Sequence, residues 1–379
     1  MASFRKLSTG WEYRIRYKDP FTHQYKERSK RGFATKKEAQ LAAANEEKKL
    51  MDGYESADIS LKNYLENWLN EYKSGSVRKN TFELHKRNIE HHIIPYFKDI
   101  LLKDLRPIMY QKFLNYLTKQ GYSKRTVEII HGTMYNALEK ATILNKIEKN
   151  TFTWSYYQGY SKKYDMKFME SKHISTFLQE AYKYDYIYWI FFKVLIETGM
   201  RKGEAAALQW TDIDFKNQTI HINKTLDFTA KHEKELFNDP KTYNSVRTIT
   251  ISKSLINDLY FHKKYQNKNK LALNEIYKHN LNLVLCRNDG SIMPKSSLFN
   301  AFKRILNNAQ LPQIPIHSLR HTHAVLLLES GADMKYVQER LGHGSIQITS
   351  DVYAHISEKI EKDSLNKFED HMNDILNDY

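Results

Sequence analysis

Hydrophobic and polar positions divide this chain into stretches of different period. In "GWEYRIRYKD" (Gly10 to Asp19) aromatic or aliphatic residues alternate with charged ones, the period of a half-buried strand. "QYKERSKRGF" (Gln24 to Phe33) is its expected hairpin partner, across a loop around Asp19, Pro20 and Thr22. "TKKEAQLAAANEEKKLM" follows as a helix, with Thr35 as N-cap and Glu38 three residues on, the spacing of a capping box. After the linker-like "GYESADIS" the period becomes helical from Leu61 to about Asn150. "LKNYLENWLNEYK", "RKNTFELHKRNIEHHIIPYF", "RPIMYQKFLNYLTKQG" and "SKRTVEIIHGTMYNALEKATILN" each return an apolar residue every three or four positions. Gly121 is placed to end one helix and Ser123 to cap the next. A second linker, "TWSYYQGYSKKYDMKF", has no clear period. Helices resume from about Phe168, with strand-like runs at "QTIHINKT" and "VRTITIS" before more helix. The predicted fold is mainly α with small β-sheets. It comprises an α+β module over residues 1–54, an all-α unit over 58–150 and a mixed α/β unit over 165–379.

Charge adds a partner to this picture. The net charge of +15 and pI of about 9.4 imply an anionic partner, most simply nucleic acid. A lysine-rich composition from an AT-rich genome is the competing reading, and the abundance of Lys, Asn, Ile and Tyr fits it. Arg78, Lys79, Lys86, Lys124 and Arg125 are the candidate DNA contacts of the helical unit. Lys79, Lys86, Arg87, Lys124 and Arg125 are expected near helix starts, where backbone N–H groups also favour phosphate. Ordinary solvated side chains are the alternative for each. A mean hydropathy of −0.67 argues against a membrane protein. The most apolar stretch, "YIYWIFFKVLIETG", is interrupted by Lys193 and falls short of the ~20 apolar residues of a spanning helix. With no secretory signal and a single cysteine, Cys286, neither a disulfide framework nor a cysteine metal cluster is expected, and a cytoplasmic setting fits.

Four stretches of the last unit carry candidate chemistry. In "ETGMRKGEAAALQW" an apolar helix ends at Gly199 and another begins just beyond, so Arg201 lies at a helix–helix corner, where a guanidinium fork and free N–H groups can face one anion. Glu204, one turn on, can pair with Arg201, although surface Arg–Glu pairs are common. In "NDPKTYNSVRTITIS" the Asp239-Pro240 turn signal puts Lys241 in a hairpin loop. Lys241 is there either a solvated charge or, beside a phosphate, a general acid. In "IHSLRHTHAVLLLESG" His317 and Arg320 share one helix face. His317 and His321 have the spacing of two zinc ligands, but the glutamate of HExxH is missing and Arg320 stands inside the motif, where a cation beside a divalent metal is unfavourable. His321 and His323 are therefore expected to pack or hydrogen-bond. In "ADMKYVQERLGHGSIQITSDVYAH" Gly342 and Gly344 place His343 in a tight turn, ahead of the segment carrying Tyr353.

The set is Arg201, Arg320, His317, His343, Lys241 and Tyr353, with no carboxylate pair ready for Mg²⁺. It suits phosphoryl transfer by charge stabilisation, without metal or other cofactor: guanidinium forks on the phosphate oxygens, histidine and lysine moving protons, tyrosine as nucleophile. "TGMRKGEAAALQW", "PKTYNSVRTI", "HSLRHTHA" and "LGHGSIQITSDVYAH", in that order, resemble the tyrosine recombinases of the phage-integrase type, similar to integrases of Gram-positive phages and integrative conjugative elements. The resemblance covers the whole chain. It implies a three-stranded arm-binding module, a helical core-binding (SAM-like) domain and a catalytic domain. It also implies catalytic roles for Arg201, Lys241, His317, Arg320, His343 and the nucleophile Tyr353, with Glu204 supporting the first arginine. The expected partners are double-stranded DNA at core and arm attachment sites, further copies in a tetramer, and an excisionase or DNA-bending protein. The tail "ISEKIEKDSLNKFEDHMNDILNDY" has apolar residues at helical spacing. It either folds back or docks on a neighbour, and the resemblance favours the neighbour. A type IB topoisomerase, a non-catalytic DNA-binding regulator and a zinc hydrolase are the competing functions.

Overall fold

The computed structural model describes residues 2–18, 24–51, 59–147, 149–150, 167–230, 232–239 and 245–342, with a few positions between 365 and 376. The chain divides into two units, Met1–Tyr164 and Asp165–Tyr379. The first begins with an antiparallel sheet of β1 (Ala2–Leu7), β2 (Gly10–Lys18) and β3 (Tyr25–Phe33), in the order β1-β2-β3. The strand alternation puts Tyr13 and Ile15 on the buried face, with Ala43 of helix α1 (Lys36–Met51) in the same core. The expected capping box is present: the Glu38 N–H donates to Thr35 Oγ1 at 3.2 Å and the Thr35 N–H to Glu38 Oε2 at 3.3 Å. β1 escaped the periodicity reading, because "ASFRKL" alternates without burying any residue fully, whereas the resemblance implied three strands.

The helical part of this unit comprises α2 (Leu61–Trp68), α3 (Lys79–Asn88), α4 (Ile94–Phe97), α5 (Pro107–Lys119) and α6 (Lys124–Ile143), with π-helical turns at Leu69–Lys73 and Ile89–Ile93. Its core is built from Leu65, Trp68, Phe113, Leu114, Ile130 and Met134. Tyr64 reaches across it to donate to the Ala137 carbonyl at 2.6 Å, which gives a buried hydroxyl its partner. Gly121 has φ +83° after α5, and Ser123 caps α6 by accepting from the Thr126 N–H at 3.2 Å. Arg78 is the N-cap of α3, Lys79 its first residue, and Lys124 and Arg125 open α6. Lys86 and Arg87 correct the expectation. They lie in the last turn of α3, where positive charge complements the helix dipole and the free N–H groups of a helix start are absent.

The second unit opens with α7 (Ser171–Tyr184), α8 (Tyr186–Thr198) and α9 (Lys202–Ala206). Short strands follow: β4 (Ile213–Asp214), β5 (Thr219–Ile222), β6 (Thr225–Leu226), β7 (Phe237–Asn238) and β8 (Arg247–Thr250). The two strand-like runs are β5 and β8, which pair antiparallel with Ile220 opposite Ile249 in a sheet of order β4-β5-β8. Helices α10 (Lys253–Leu273), α11 (Lys295–Asn308), α12 (Ser318–Glu329) and α13 (Met334–Leu341) follow. Phe177, Phe192 and Phe302 meet ring to ring at 5.1–5.8 Å in its core. Lys193, the charge inside the apolar helix, ion-pairs with Asp258 at 2.6 Å. Among the described residues no helix is long and apolar enough to cross a membrane. In the tail, Leu365, Phe368, Met372, Ile375 and Leu376 are helical with exposed side chains.

Candidate active site

The corner at Gly199 organises the site. Gly199 ends α8 at φ +66°, its N–H donating to Leu195 O at 3.0 Å. A Cβ there would lie 2.5 Å from both the His323 ring and a Leu341 methyl, so close approach as well as backbone conformation calls for glycine. Two residues on, Arg201 is the N-cap of α9 in extended conformation. Its N–H donates to Glu204 Oε2 at 2.9 Å and its Nη1 to Oε1 at 2.7 Å. The pairing expected from the sequence is therefore made, with a buried Glu204 in place of a surface pair. Burial alone would raise the Glu204 carboxyl pKa, but Arg247 and then Arg201 more than offset it and hold it below the usual value.

Arg320, in the first turn of α12, is 3% exposed. Its Nη1 donates to Gly199 O at 2.8 Å and its Nη2 to Leu341 O at 2.5 Å. Arg201 Nη2 reaches the adjacent carbonyl, Gly342 O, at 3.4 Å. Residues far apart in sequence thus place two guanidinium groups at consecutive carbonyls. Burial first, and then the like charge of Arg201, lower the Arg320 pKa to about 9, so it remains cationic at neutral pH. His317 is the N-cap of α12 and reaches solvent. The protein around its ring, and then the charges of His321, Arg320 and Arg201, lower its pKa to about 4. A neutral imidazole at this position can accept a proton. Its ring meets His321 edge to face at 5.1 Å. Among the described residues no group of three His, Cys, Asp or Glu side chains is placed to hold a metal. Lys241, His343 and Tyr353 lie outside the described residues.

His323 hydrogen-bonds, as expected for it. Its Nδ1 lies 2.8 Å from Ile196 O and its Nε2 accepts from Arg340 Nε at 3.0 Å. That pattern requires the neutral ring protonated at Nδ1, and burial, then Arg340, lower its pKa to about 3. Buried His262, bonded through Nε2 to Val284 O at 2.7 Å, is lowered to about 4, chiefly by burial. Both rings are neutral above pH 6.5 whether the chain is folded or unfolded. Below that only the unfolded chain takes up the protons, until pH reaches the folded values, so stability must fall as pH falls through that window. We expect a loss of about 2 kcal/mol from each histidine by pH 5, before most carboxylates titrate. Thermal unfolding between pH 7.5 and 4.5 measures this, and an unchanged midpoint from pH 7 to 5 would contradict it.

Sequence reasoning missed Arg247. Its Nη2 donates to Glu204 Oε2 at 3.0 Å, and its side chain is 7% exposed. The available signal was strand parity: Arg247 lies two residues before the buried Ile249 on β8 and shares its inward face.

Within the second unit, Arg201, Arg320 and Arg247 gather at one corner around Glu204 and the end of α13, and comparison with known proteins shows the family to which such a chain belongs. Residues 167–359 match the "Phage integrase family" model, residues 60–118 the "Phage integrase, N-terminal SAM-like domain", and residues 3–50 the "Arm DNA-binding domain". The chain belongs to the phage integrase family, whose members are tyrosine recombinases. It is 28% identical to a "Tyrosine recombinase XerC-like" protein of Caldanaerobacter subterraneus subsp. tengcongensis, over 83% of each chain. It is also 28% identical to the "ICEBs1 integrase" of Bacillus subtilis, over 77% of this chain and 78% of the relative. Among solved structures, the Tn1549 transposon integrase in complex with a circular intermediate DNA matches with a TM-score of 0.67 at 17% identity, over 82% of this chain and 99% of that one. A lambda integrase dimer bound to a COC' core site matches with a TM-score of 0.58 at 17% identity, over 92% and 93%.

Proposed function

We propose that this chain is the integrase of a prophage or integrative conjugative element, cutting and rejoining DNA at attachment sites through a 3′-phosphotyrosyl intermediate. The observation that carries the reading is the meeting of Arg201 and Arg320 at one corner, with Glu204 fixing the first. Tyr353 O attacks the scissile phosphorus, the P–O5′ bond breaks, and the 5′-oxygen leaves with a proton from Lys241. Arg201 and Arg320 neutralise the charge that develops on the non-bridging oxygens. Neutral His317 helps to take the phenol proton, and His343 hydrogen-bonds a non-bridging oxygen. The phosphotyrosine conserves the bond energy, so attack by the 5′-hydroxyl of a partner strand rejoins DNA without ATP, metal or other cofactor.

Residues 1–54 bind arm-type sites, 58–150 grip the core site with Arg78, Lys79, Lys86, Lys124 and Arg125 on phosphates, and 165–379 catalyse. The DNA carried by the Tn1549 and lambda integrase structures supports a duplex partner. A lambda integrase tetramer bound to a Holliday junction supports four protomers. An excisionase or bending protein would set direction, and the enzyme works in the cytoplasm, where its DNA is. The test is covalent trapping in EDTA on a nicked duplex taken from the DNA flanking its own gene. A protein–DNA adduct is expected. Its absence from every flanking sequence, or strict dependence on a divalent metal, would overturn the reading.

A further inference from the structure

Three arginines from separate elements meet the end of α13. Arg247 of β8 donates Nε to Arg340 O at 2.7 Å, Arg320 of α12 donates to Leu341 O at 2.5 Å, and Arg201 donates to Gly342 O at 3.4 Å. The last carbonyls of a helix lack intrahelical donors and form the negative end of its dipole, so successive guanidinium groups suit them. Arg247 differs from the other two. Each of its three nitrogens already has an acceptor inside the protein: Arg340 O for Nε, Ser245 O for Nη1 at 3.1 Å, and Glu204 Oε2 for Nη2. Its side chain is 7% exposed and turned toward Glu204, which takes the Nη2 end of its fork inside the protein. A buried pair of this kind is commonly replaceable by apolar side chains without loss of stability, which directs attention to what it orients.

We propose that Arg247 is a positioning residue for DNA cleavage. It keeps Glu204 ionised and locked on Arg201, and it ties the carbonyl end of α13, whose next residues in sequence lead to His343, into register with Arg201 and Arg320. The inference rests on the reading that Arg201 contacts the scissile phosphate. Glu204 faces Arg201 and Arg247 directly, and Arg320 and His317 respond to its charge. Without Arg247, burial pushes the Glu204 carboxyl up, and a protonated Glu204 releases Arg201.

The test compares full-length R247M and R247K with wild type in thermal unfolding, core-site binding, single-turnover cleavage from pH 5.5 to 8, and ¹³C NMR of labelled glutamate carboxyls. R247M should bind DNA within about threefold of wild type, because Arg247 faces no phosphate. It should cleave about 10–100-fold more slowly per folded molecule, the scale of a small misplacement. Its deficit should deepen toward pH 5.5, and E204Q in the same background should remove that acid limb. R247K restores a charge beside Glu204 but cannot serve Glu204 and the Arg340 carbonyl together. It should therefore recover the flat profile without the full rate. The Glu204 resonance, identified by its loss in E204Q, should titrate within the window in R247M and stay ionised in wild type. Wild-type cleavage per folded molecule, or a slow R247M with a parallel pH profile and unshifted Glu204, would reduce Arg247 to a structural residue. Should R247M not fold, R247K decides by its rate. If wild type cleaves no DNA, the functional reading falls, and the carboxyl titration still decides whether Arg247 holds Glu204 ionised.

Discussion

Tyr353→Phe is expected to abolish the covalent protein–DNA adduct while leaving site binding unchanged. The change removes one oxygen and keeps the ring, so packing and net charge at neutral pH are preserved. If the phenol is the nucleophile, no other group can form the phosphotyrosyl bond, and cleavage should fall by more than roughly 10⁴-fold, the scale on which loss of a covalent nucleophile is felt. A phenol with pKa ≈ 10 is a weak nucleophile unaided, which is why a neutral His317 and two cationic forks belong in the same reading. The assay is trapping on a nicked suicide duplex, read beside a gel-shift measurement of affinity. Adduct formation at the wild-type rate would move the role to another tyrosine. Tyr336 on α13 is the first to examine: it is 48% exposed, and its hydroxyl is approached by Arg340 Nη1 at 3.4 Å.

The parts legible in the sequence are those decided by local chemistry. The Thr35–Glu38 capping box, the Ser123 cap and the Gly199 corner depend on neighbours a few residues away, and the strands at "QTIHINKT" and "VRTITIS" show as alternation within each run although they pair with each other across the sheet. Arg201 and Glu204 belong to this class, since an N-cap and the residue three further on meet by helix geometry alone. What was not legible depends on tertiary neighbours. Nothing local to "VRTITIS" says that Glu204 waits opposite Arg247, and nothing local to "QERLG" says that Arg340 donates to His323. The same blindness produced the misplacement of Lys86 and Arg87, because the long periodic stretch hid the change from α-helix to π-turn at Ile89. The proposed catalytic set as a whole was read from motif order. No period in the sequence brings Arg201 to the carbonyl next to the one that Arg320 holds.

That convergence separates the two arginines in what their loss should do. Arg201→Ala and Arg320→Ala should each slow cleavage by ~10²–10³ or more, by analogy with removal of one donor to a developing oxyanion. Both should weaken DNA binding far less, because affinity is spread over many phosphate contacts. Stability should tell them apart. The Arg201 side chain is 36% exposed, and Glu204 would keep Arg247 after its loss. Arg320 is 3% exposed, and its removal leaves the Gly199 and Leu341 carbonyls without those donors in the interior. At about 1–3 kcal/mol for each unmet buried group, Arg320→Ala should lose roughly 2–6 kcal/mol of stability, well beyond Arg201→Ala. Arg320→Lys keeps a charge but not a planar fork, so it should recover part of the stability and little of the rate. Cleavage must therefore be compared per folded molecule, with unfolding followed alongside single-turnover rates. If affinity for the core site falls as far as the cleavage rate in both alanine variants, these arginines bind the ground state and transition state alike. Their part in the chemistry would then be withdrawn.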